Sequence, residues 1–357
     1  MDFTPDETQE AVAEVATALL ARELEPDALW AAFADADLLT LALPERLGGE
    51  GLSVADVGSL LVEVGRAAAP IPALATLGFG VLPPIVALGT DAQQDELLTG
   101  VGAGRVFTAA LGEPGQQFPA QPSTTAHQSG DWYRVSGTVL AVPFAASAHR
   151  ILVPTDAGVV LVDPTAAGVA LTPTPSASGS PEFAVTMDEA VGELLGAGEE
   201  AVQTLYRIAT ASIGAVADGL VSGAVDLTAA HVGSREQFGK PLATFQAVSQ
   251  QIADAYVTSR TLHVAALSAS WRVSEGLDAQ SDLDVMAYWI AQEVPATMQV
   301  LHHLHGGLGV DVTYPLHRYY STAKDLARLL GGASQRLDLV GGPGVHRSDR
   351  QSARIAS

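Results

Sequence analysis

Apolar residues recur every three to four positions through the first hundred residues, which predicts helices in this part of the chain. One helix is predicted from Thr4, which a proline and two acidic residues follow, through Leu20. A second helix is predicted to begin at Ser53 and to stop before Pro70, because proline interrupts a helix. Residues 1–104 are therefore expected to form an N-terminal helical domain.

From about residue 105 the pattern changes to short runs that are rich in β-branched residues and bounded by turn formers. The runs are "RVFTAALGE", "DWYRVSGTVLAV", "HRILVPT", "GVVLVD", "GVALTP" and "EFAVTM". Runs of this length and composition are typical of β-strands. Residues 105–196 are therefore expected to form a small antiparallel β domain in the middle of the chain.

Helical periodicity then returns in four long stretches, which are broken at "QFGKP", "SEGLDAQSD" and "HGGLGVDVTYP". Four long helices with short connections predict an antiparallel four-helix bundle over residues 197–340. Residues 341–357, which read "GGPGVHRSDRQSARIAS", are expected to form a loose tail. The expected fold class is α+β, with helical, β and helical domains in that order.

The composition of the chain argues against several kinds of function. The chain has 18 basic and 40 acidic residues, so the net charge is 18 − 40 = −22, which would repel nucleic acid over most of the surface. It has no cysteine, which excludes disulfides, thiolate catalysis and Cys-ligated metal sites. The acidic start "MDFTPDETQEAVAEV" is unlike a signal peptide, and no membrane partner is expected. A cytoplasmic protein is the expectation.

The first helix break of the bundle lies in the stretch "SREQFGKPLATFQAVSQQIAD". Gly239 and Pro241 flank Lys240 there, between two segments that are otherwise helical. The residues alone allow a turn with solvated side chains, or a group of donors aimed at an anion.

Four stretches in chain order resemble the acyl-CoA dehydrogenase family over nearly the whole sequence. They are "LPERLGGEGLSVADVGSLLVEVGRAAAP", "GEP" from residue 112, "SREQFGKPLATFQAVSQQIAD" and "HHLHGGLGVDVTYPLHRYYSTAKD". The resemblance implies the fold of that family. It also implies dehydrogenation of the Cα–Cβ bond of an acyl-CoA thioester, with FAD accepting the hydride, a carboxylate accepting the α-proton, and an electron-transfer flavoprotein receiving the electrons.

The resemblance further implies a cofactor site that is shared across a dimer interface. In the family, the arginine and phenylalanine of the "SREQFGKP" motif hold the neighbouring chain's FAD, which assigns Arg235 to the pyrophosphate and Phe238 to packing on the cofactor. The stretch "HHLHGGLG" supplies the second half, where Gly306 and Gly307 allow close backbone approach. His303 stands where family members usually have glutamine.

The histidines of the same stretch could instead form a metal site, because Zn²⁺ favours imidazole ligands. Only His302 and His305 share a helical face, and no carboxylate lies close to them in sequence. No metal site is therefore expected.

The catalytic base of the family has no counterpart at either of its usual positions. The resemblance places the glutamate at Leu330 in most members and at Ala209 in some relatives. The nearby acids, Asp325 and Glu200, are expected to face elsewhere on their helices. The chain is therefore expected to carry no catalytic residue of its own.

The β domain shows matching losses. Gly112 replaces the threonine before Glu113 in the family's "TEPGAGSD"-like loop. Ala141, Pro143 and Phe144 occupy the positions of the tryptophan, threonine and asparagine that face the flavin in the family. The losses concern the chain's own flavin, whereas the motifs that serve a neighbour's flavin persist.

These observations together favour a subunit of a heteromeric acyl-CoA dehydrogenase that completes the FAD site of a partner carrying the catalytic glutamate. The resemblance is to the base-less smaller chain of actinobacterial heterotetramers that dehydrogenate steroid (cholesterol) side-chain CoA thioesters. Two alternatives remain from the sequence. One is a homomeric dehydrogenase with a relocated base, and the other is a flavin-free structural or binding protein of the same fold.

Overall fold

The structure is a computed structural model that describes residues 4–22, 24–80 and 83–341. The α-helices in these ranges are α1 (Glu7–Leu20), α2 (Pro26–Asp35), α3 (Val54–Arg66), α4 (Pro83–Leu88), α5 (Asp91–Leu98), α6 (Gly198–Ser234), α7 (Gln246–Ser274), α8 (Gln280–His305), α9 (Leu316–Leu329) and α10 (Gly332–Gly341). The strands are β1 (Val106–Ala109), β2 (Gly112–Glu113), β3 (Gln116–Gln117), β4 (Thr125–Ser129), β5 (Trp132–Pro143), β6 (Ala148–Thr155), β7 (Gly158–Val162), β8 (Val169–Pro173), β9 (Glu182–Ala197), β10 (Glu236–Gln237) and β11 (Lys240–Pro241).

Side-chain caps set the starts of the two predicted N-terminal helices. The first begins two residues later than Thr4 and its proline suggested, because the Asp6 carboxylate accepts the Gln9 N–H at 2.8 Å and forms the N-cap. The second begins after Ser53, which forms a reciprocal capping box with Asp56. Helix α2 lies between them and was not predicted from the sequence.

The middle of the chain forms a nine-stranded sheet with the order β1-β6-β7-β9-β5-β2-β3, in which β4 pairs with β5 and β8 pairs with β9. The prediction of an entirely antiparallel domain is wrong at one edge, since β1 pairs with β6 in parallel. The reason is that β1 enters the sheet from the N-terminal helices and joins β6 only after the chain has passed through β2 to β5. The remaining pairs are antiparallel.

The bundle breaks occur where the sequence predicted them, between α6, α7, α8 and α9, and α10 follows as a fifth helix. Helix α6 lies at the centre of the molecule and packs against α3, α7, α8 and α9. Glycines allow the closest of these contacts. A Cβ at Gly219 would overlap the Val62 carbonyl of α3, and a Cβ at Gly65 would overlap the Val216 carbonyl of α6.

One helix of the described residues, α6, is long and apolar enough to cross a membrane, but 94% of its apolar window is buried inside the protein. It is therefore the core helix of the bundle. Residues 67–90 contain no charged side chain, and this charge-free run has the length of a membrane span. Four prolines interrupt this run, and its described parts form the short segments Leu74–Gly80 and Pro83–Leu88. The tail predicted over 341–357 lies outside the described residues except for Gly341.

Candidate functional site

The "SREQFGKP" corner is a β-hairpin that projects from the end of α6. Strands β10 and β11 pair across a two-residue turn, in which Phe238 (φ 54°) and Gly239 (φ 77°) both have positive φ, as in the tight turns that fit hairpins. The carbonyl of Arg235 accepts the Leu242 N–H at 2.8 Å and closes the base of the corner. The Phe238 side chain is 93% exposed, so the hairpin presents an aromatic ring to the outside of the chain.

The "HHLHGGLG" stretch ends α8 and continues as a short 3₁₀ turn, Gly306–Val310, which we call the glycine loop. Gly306 has φ 58° and ψ −136°, a conformation that side chains other than glycine rarely adopt. A Cβ on Gly306 or Gly307 would meet no atom within 4 Å. The backbone at these two residues is therefore open to an approaching group.

A stacked pair of imidazoles joins the corner to the glycine loop. His231 in the last turn of α6 and His305 at the end of α8 have ring centroids 4.3 Å apart and an interplanar angle of 17°. The last turn of α6, which leads into the corner, thus lies against the end of α8, from which the glycine loop begins. Val310 and Val312, each 77% exposed, add to the apolar surface beside the loop.

This half-site fits the cofactor that the sequence predicts. The Arg235 side chain is exposed and has no hydrogen-bond or ion-pair partner among the described residues, so its planar donors are free for a pyrophosphate. The exposed Phe238 ring offers an apolar contact, and Gly306 and Gly307 leave room for close approach. His303 is also exposed at the end of α8. Since no described residue covers these groups, they are suited to a ligand that another chain carries.

The histidines do not form a metal site in the described part of the chain, where no group of three or more His, Asp or Glu side chains could hold an ion. The Nδ1 atoms of His302 and His305 lie 3.1 and 2.9 Å from the carbonyls one turn earlier. Burial lowers the pKa of His302 and of His305, which keeps both imidazoles neutral near pH 7.

The two base positions hold fully buried apolar residues. Leu330 and Ala209 are each 0% exposed. The Leu330 carbonyl accepts a 2.6 Å hydrogen bond from Nε of Arg336, and burial lowers the pKa of Arg336 to about 10. No carboxylate stands at either position.

The two acids that the sequence analysis considered, Asp325 and Glu200, are held by structural bonds. The Asp325 carboxylate accepts the backbone N–H groups of Ala177 at 2.9 Å and Ser178 at 2.8 Å, and it also contacts Arg328. Arg328 is bonded to Glu182 of strand β9 as well. Asp325 thus fastens α9 to the β domain. Glu200, the other acid considered, is exposed and pairs with Arg207 on α6.

The loop that begins with "GEP" is directed into the β domain. Glu113 is buried, and its carboxylate accepts four hydrogen bonds from the backbone and hydroxyl groups of Ser123 and Thr124. Burial alone would raise the pKa of Glu113, but these hydrogen bonds outweigh it and lower the pKa. A side chain at Gly112 would collide with Gln117. The loop therefore offers no free donor at this point.

Sequence reasoning missed a packed cluster around Phe118, which follows this loop. The Phe118 ring lies edge-on to Tyr206 at 5.2 Å, and the Arg336 guanidinium lies 4.7 Å from its centroid. The Gln335 amide donates to the Gln117 carbonyl at 2.5 Å. These contacts seat α10 against the β domain beside Leu330. The sequence does contain an apolar loop residue, Phe118, and a polar "SQRL" segment that begins at Ser334. Nothing local indicates that they meet, because they are about 218 residues apart in the chain.

An apolar cavity of about 280 Å³ lies where the three domains meet. Pro143 and Phe144 form part of its wall. Glu182 and Asp325 are the carboxylates among its lining residues. Phe144 (φ 55°) and Ala141 (φ 58°) both have positive φ, so this strand end is bent away from regular β geometry.

Comparisons with known proteins agree with this architecture. The profile of the acyl-CoA dehydrogenase N-terminal domain matches residues 2–105, and that of the C-terminal domain matches residues 196–341. Acyl-CoA dehydrogenase FadE28 of Mycobacterium tuberculosis is 49% identical over 342 residues, which are 96% of this chain and 98% of that protein.

Two solved structures are similar over almost the whole chain. The Tcur3481-Tcur3483 steroid acyl-CoA dehydrogenase is 35% identical with a TM-score of 0.85, and the match covers 98% of each chain. The ChsE4-ChsE5 complex of Mycobacterium tuberculosis is 29% identical with a TM-score of 0.88, covering 96% of this chain and 98% of that one. The predicted fold class and the predicted FAD cofactor are confirmed at the level of the family. The chain belongs to the acyl-CoA dehydrogenase family, whose members are FAD-dependent oxidoreductases that act on a CH–CH bond.

Proposed function

We propose that this chain is the supporting subunit of a heteromeric acyl-CoA dehydrogenase and completes the FAD site of a partner that carries the catalytic glutamate. One contrast supports the proposal. The corner and the glycine loop are joined and exposed, whereas the base positions Leu330 and Ala209 are buried and apolar. A chain with only the outward-facing half of the site can serve a neighbour's flavin but has no acid–base group for its own.

The proposed roles of this chain's residues are those that the family resemblance implies. Arg235 binds the pyrophosphate of FAD, and Phe238 packs on the cofactor. His303 donates a hydrogen bond to the cofactor, and Gly306 and Gly307 allow the cofactor to approach the backbone closely. Bound FAD supplies the hydride acceptor, and the partner's carboxylate takes the α-proton of the acyl-CoA. The electrons are proposed to pass to an electron-transfer flavoprotein in the cytoplasm.

The substrate class and the heteromeric assembly are proposed from two similar structures. One is a steroid acyl-CoA dehydrogenase and the other is a complex of two different chains. We therefore propose a steroid side-chain acyl-CoA as the substrate of the heteromer.

Arg235→Ala tests the cross-interface role. A charged hydrogen bond of this kind contributes on the order of 1.5 to 3 kcal/mol, so we expect the FAD affinity of the complex to fall roughly ten- to a hundredfold while assembly persists. Arg207→Ala is the matched control, because Arg207 lies near the other end of α6 and pairs with Glu200. Unchanged flavin occupancy and turnover in Arg235→Ala would exclude the proposed role.

Flavin stoichiometry provides an independent test. We expect the isolated chain to retain little FAD, and the complex to retain one FAD per pair of unlike chains. The measurement is the absorbance ratio of flavin to protein after gel filtration. Stoichiometric flavin on the isolated chain that an acyl-CoA reduces would overturn the proposal.

One observation favours a second candidate, a homomeric dehydrogenase with a relocated base. Asp325 and Glu182 line the cavity between the domains and could face an acyl chain there. Both carboxylates, however, are bonded to Arg328, and Asp325 also holds two backbone N–H groups. Bleaching of FAD by an acyl-CoA on the isolated chain would favour this candidate.

A further inference from the structure

The stacked imidazoles of His231 and His305 connect the two halves of the site. Arg235 lies one helical turn beyond His231, and the glycine loop begins directly after His305. Displacement of either ring therefore changes the position of a group proposed to hold FAD. The fold does not require imidazoles here, since apolar side chains could pack between the same helix ends.

Hydrogen bonds through both ring nitrogens hold the His305 side chain at the base of the glycine loop. Nδ1 of His305 lies 2.9 Å from the Leu301 carbonyl, so Nδ1 carries the proton and donates. Nε2 lies 3.1 Å from the Tyr314 hydroxyl and therefore accepts from it. Residues 305 and 314 bracket the loop, so a neutral His305 closes the loop at its base.

We propose that the stacked pair His231 and His305 is a pH-sensitive clamp that holds the corner and the glycine loop together, so that the neighbour's flavin is retained at neutral pH and released when the pair becomes protonated. The clamp rests on the proposed cross-interface function. A charge on either ring is unfavourable, because His305 is only 6% exposed and the positive charge of Arg235 lies near His231, and two protonated rings with centroids 4.3 Å apart also repel each other.

The groups that face the pair disfavour its protonation. Burial lowers the pKa of both rings, the positive charge of Arg235 lowers that of His231 further, and His302 in the preceding turn of α8 lowers that of His305 further. His317 of α9 lies behind Tyr314 and bonds to its carbonyl. Asp311, which directly follows the glycine loop, accepts hydrogen bonds from the backbone N–H and the hydroxyl group of Thr313. No compensating carboxylate is in hydrogen-bond contact with either ring among the described residues.

The size of the effect follows from proton linkage. A histidine that must be neutral when FAD is bound, and that titrates near 6.5 when the clamp is open, raises the FAD dissociation constant up to about tenfold between pH 7.5 and pH 5.5. Two such histidines raise it up to about a hundredfold. The ratio of the two dissociation constants therefore counts the histidines involved.

The test uses the intact complex and FAD titration followed by flavin fluorescence at pH 7.5 and pH 5.5. His231→Phe keeps a flat ring for stacking, and His305→Gln keeps both a donor and an acceptor, but neither residue titrates. Each variant is expected to lower the pH 5.5 to 7.5 ratio about tenfold, and the double variant to bring it near one. His127→Gln is the matched control, since His127 is an exposed residue of β4.

An unchanged ratio in the double variant would overturn the clamp, as would an equal change in the His127→Gln control. The two single variants test the same prediction independently if one of them fails to fold. Arg235→Ala is titrated in parallel. If Arg235→Ala leaves FAD affinity unchanged, the proposed function fails; if it weakens affinity while the double variant keeps the pH ratio, only the clamp fails.

Discussion

The substitution Asp325→Asn distinguishes a structural role of the Asp325 carboxylate from a role as a relocated catalytic base. The carboxylate accepts two backbone N–H groups, those of Ala177 and Ser178, and is only 9% exposed. A hydrogen bond to a charged group contributes about 1.5 to 3 kcal/mol. The asparagine oxygen can keep one of the two bonds, while its NH₂ group faces the second N–H. We therefore expect a loss of about 1.5 to 3 kcal/mol in the local stability of this contact.

The assay is native-state hydrogen exchange at the amides of Ala177 and Ser178 in the complex, together with steady-state turnover. The expected loss corresponds to roughly ten- to a hundredfold faster exchange at these amides. Turnover per folded complex should remain, because the chemistry belongs to the partner. Glu200→Gln is the matched control, since that exposed pair is worth little. A fall of a hundredfold or more in kcat with unchanged exchange would refute this reasoning and identify Asp325 as a base.

Three further changes have definite expected outcomes. Leu330→Glu should not make the isolated chain a dehydrogenase in anaerobic mixing with FAD and acyl-CoA, and it should lower the melting temperature, because the carboxylate is buried without a site for its charge. Stability should fall as the pH drops below about 6.5, since the lowered pKa values of buried histidines such as His305 make the unfolded chain bind more protons; urea midpoints at pH 7.5 and 5.5 measure this. Gly219→Ala should cost roughly 1 to 3 kcal/mol in urea unfolding through overlap with α3, whereas Gly307→Ala, which meets no atom, should keep stability and weaken FAD binding.

The sequence predicted most of the helical framework because its signals are local. Prolines, glycines and 3.6-residue periodicity placed the breaks between α6 and α9 within a few residues. The parallel pairing of β1 with β6 was missed, because strand direction depends on the path of the intervening chain. The first cap was assigned to Thr4 instead of Asp6, since both residue types cap helices and only the geometry distinguishes them.

In the candidate site, too, the features that depend on local motifs were predicted and those that depend on long-range contacts were missed. Arg235, Phe238 and the two glycines were found as short motifs, and their exposure agrees with an outward-facing role that remains a prediction. The stack of His231 on His305 and the packing of Phe118 on Arg336 were not predicted. Each joins residues that are far apart in the sequence, and periodicity carries no information on such pairs.

The central position of α6 has a consequence for synthesis on the ribosome. Helix α3 buries its apolar side, including Leu60 and Leu61, mainly against α6. The end of α6 is made 234 − 66 = 168 residues after the end of α3. At about 5 to 20 residues per second, this takes roughly 10 to 30 s. During that interval the nascent N-terminal helices expose an apolar surface, so a chain truncated before α6 should aggregate or bind a chaperone.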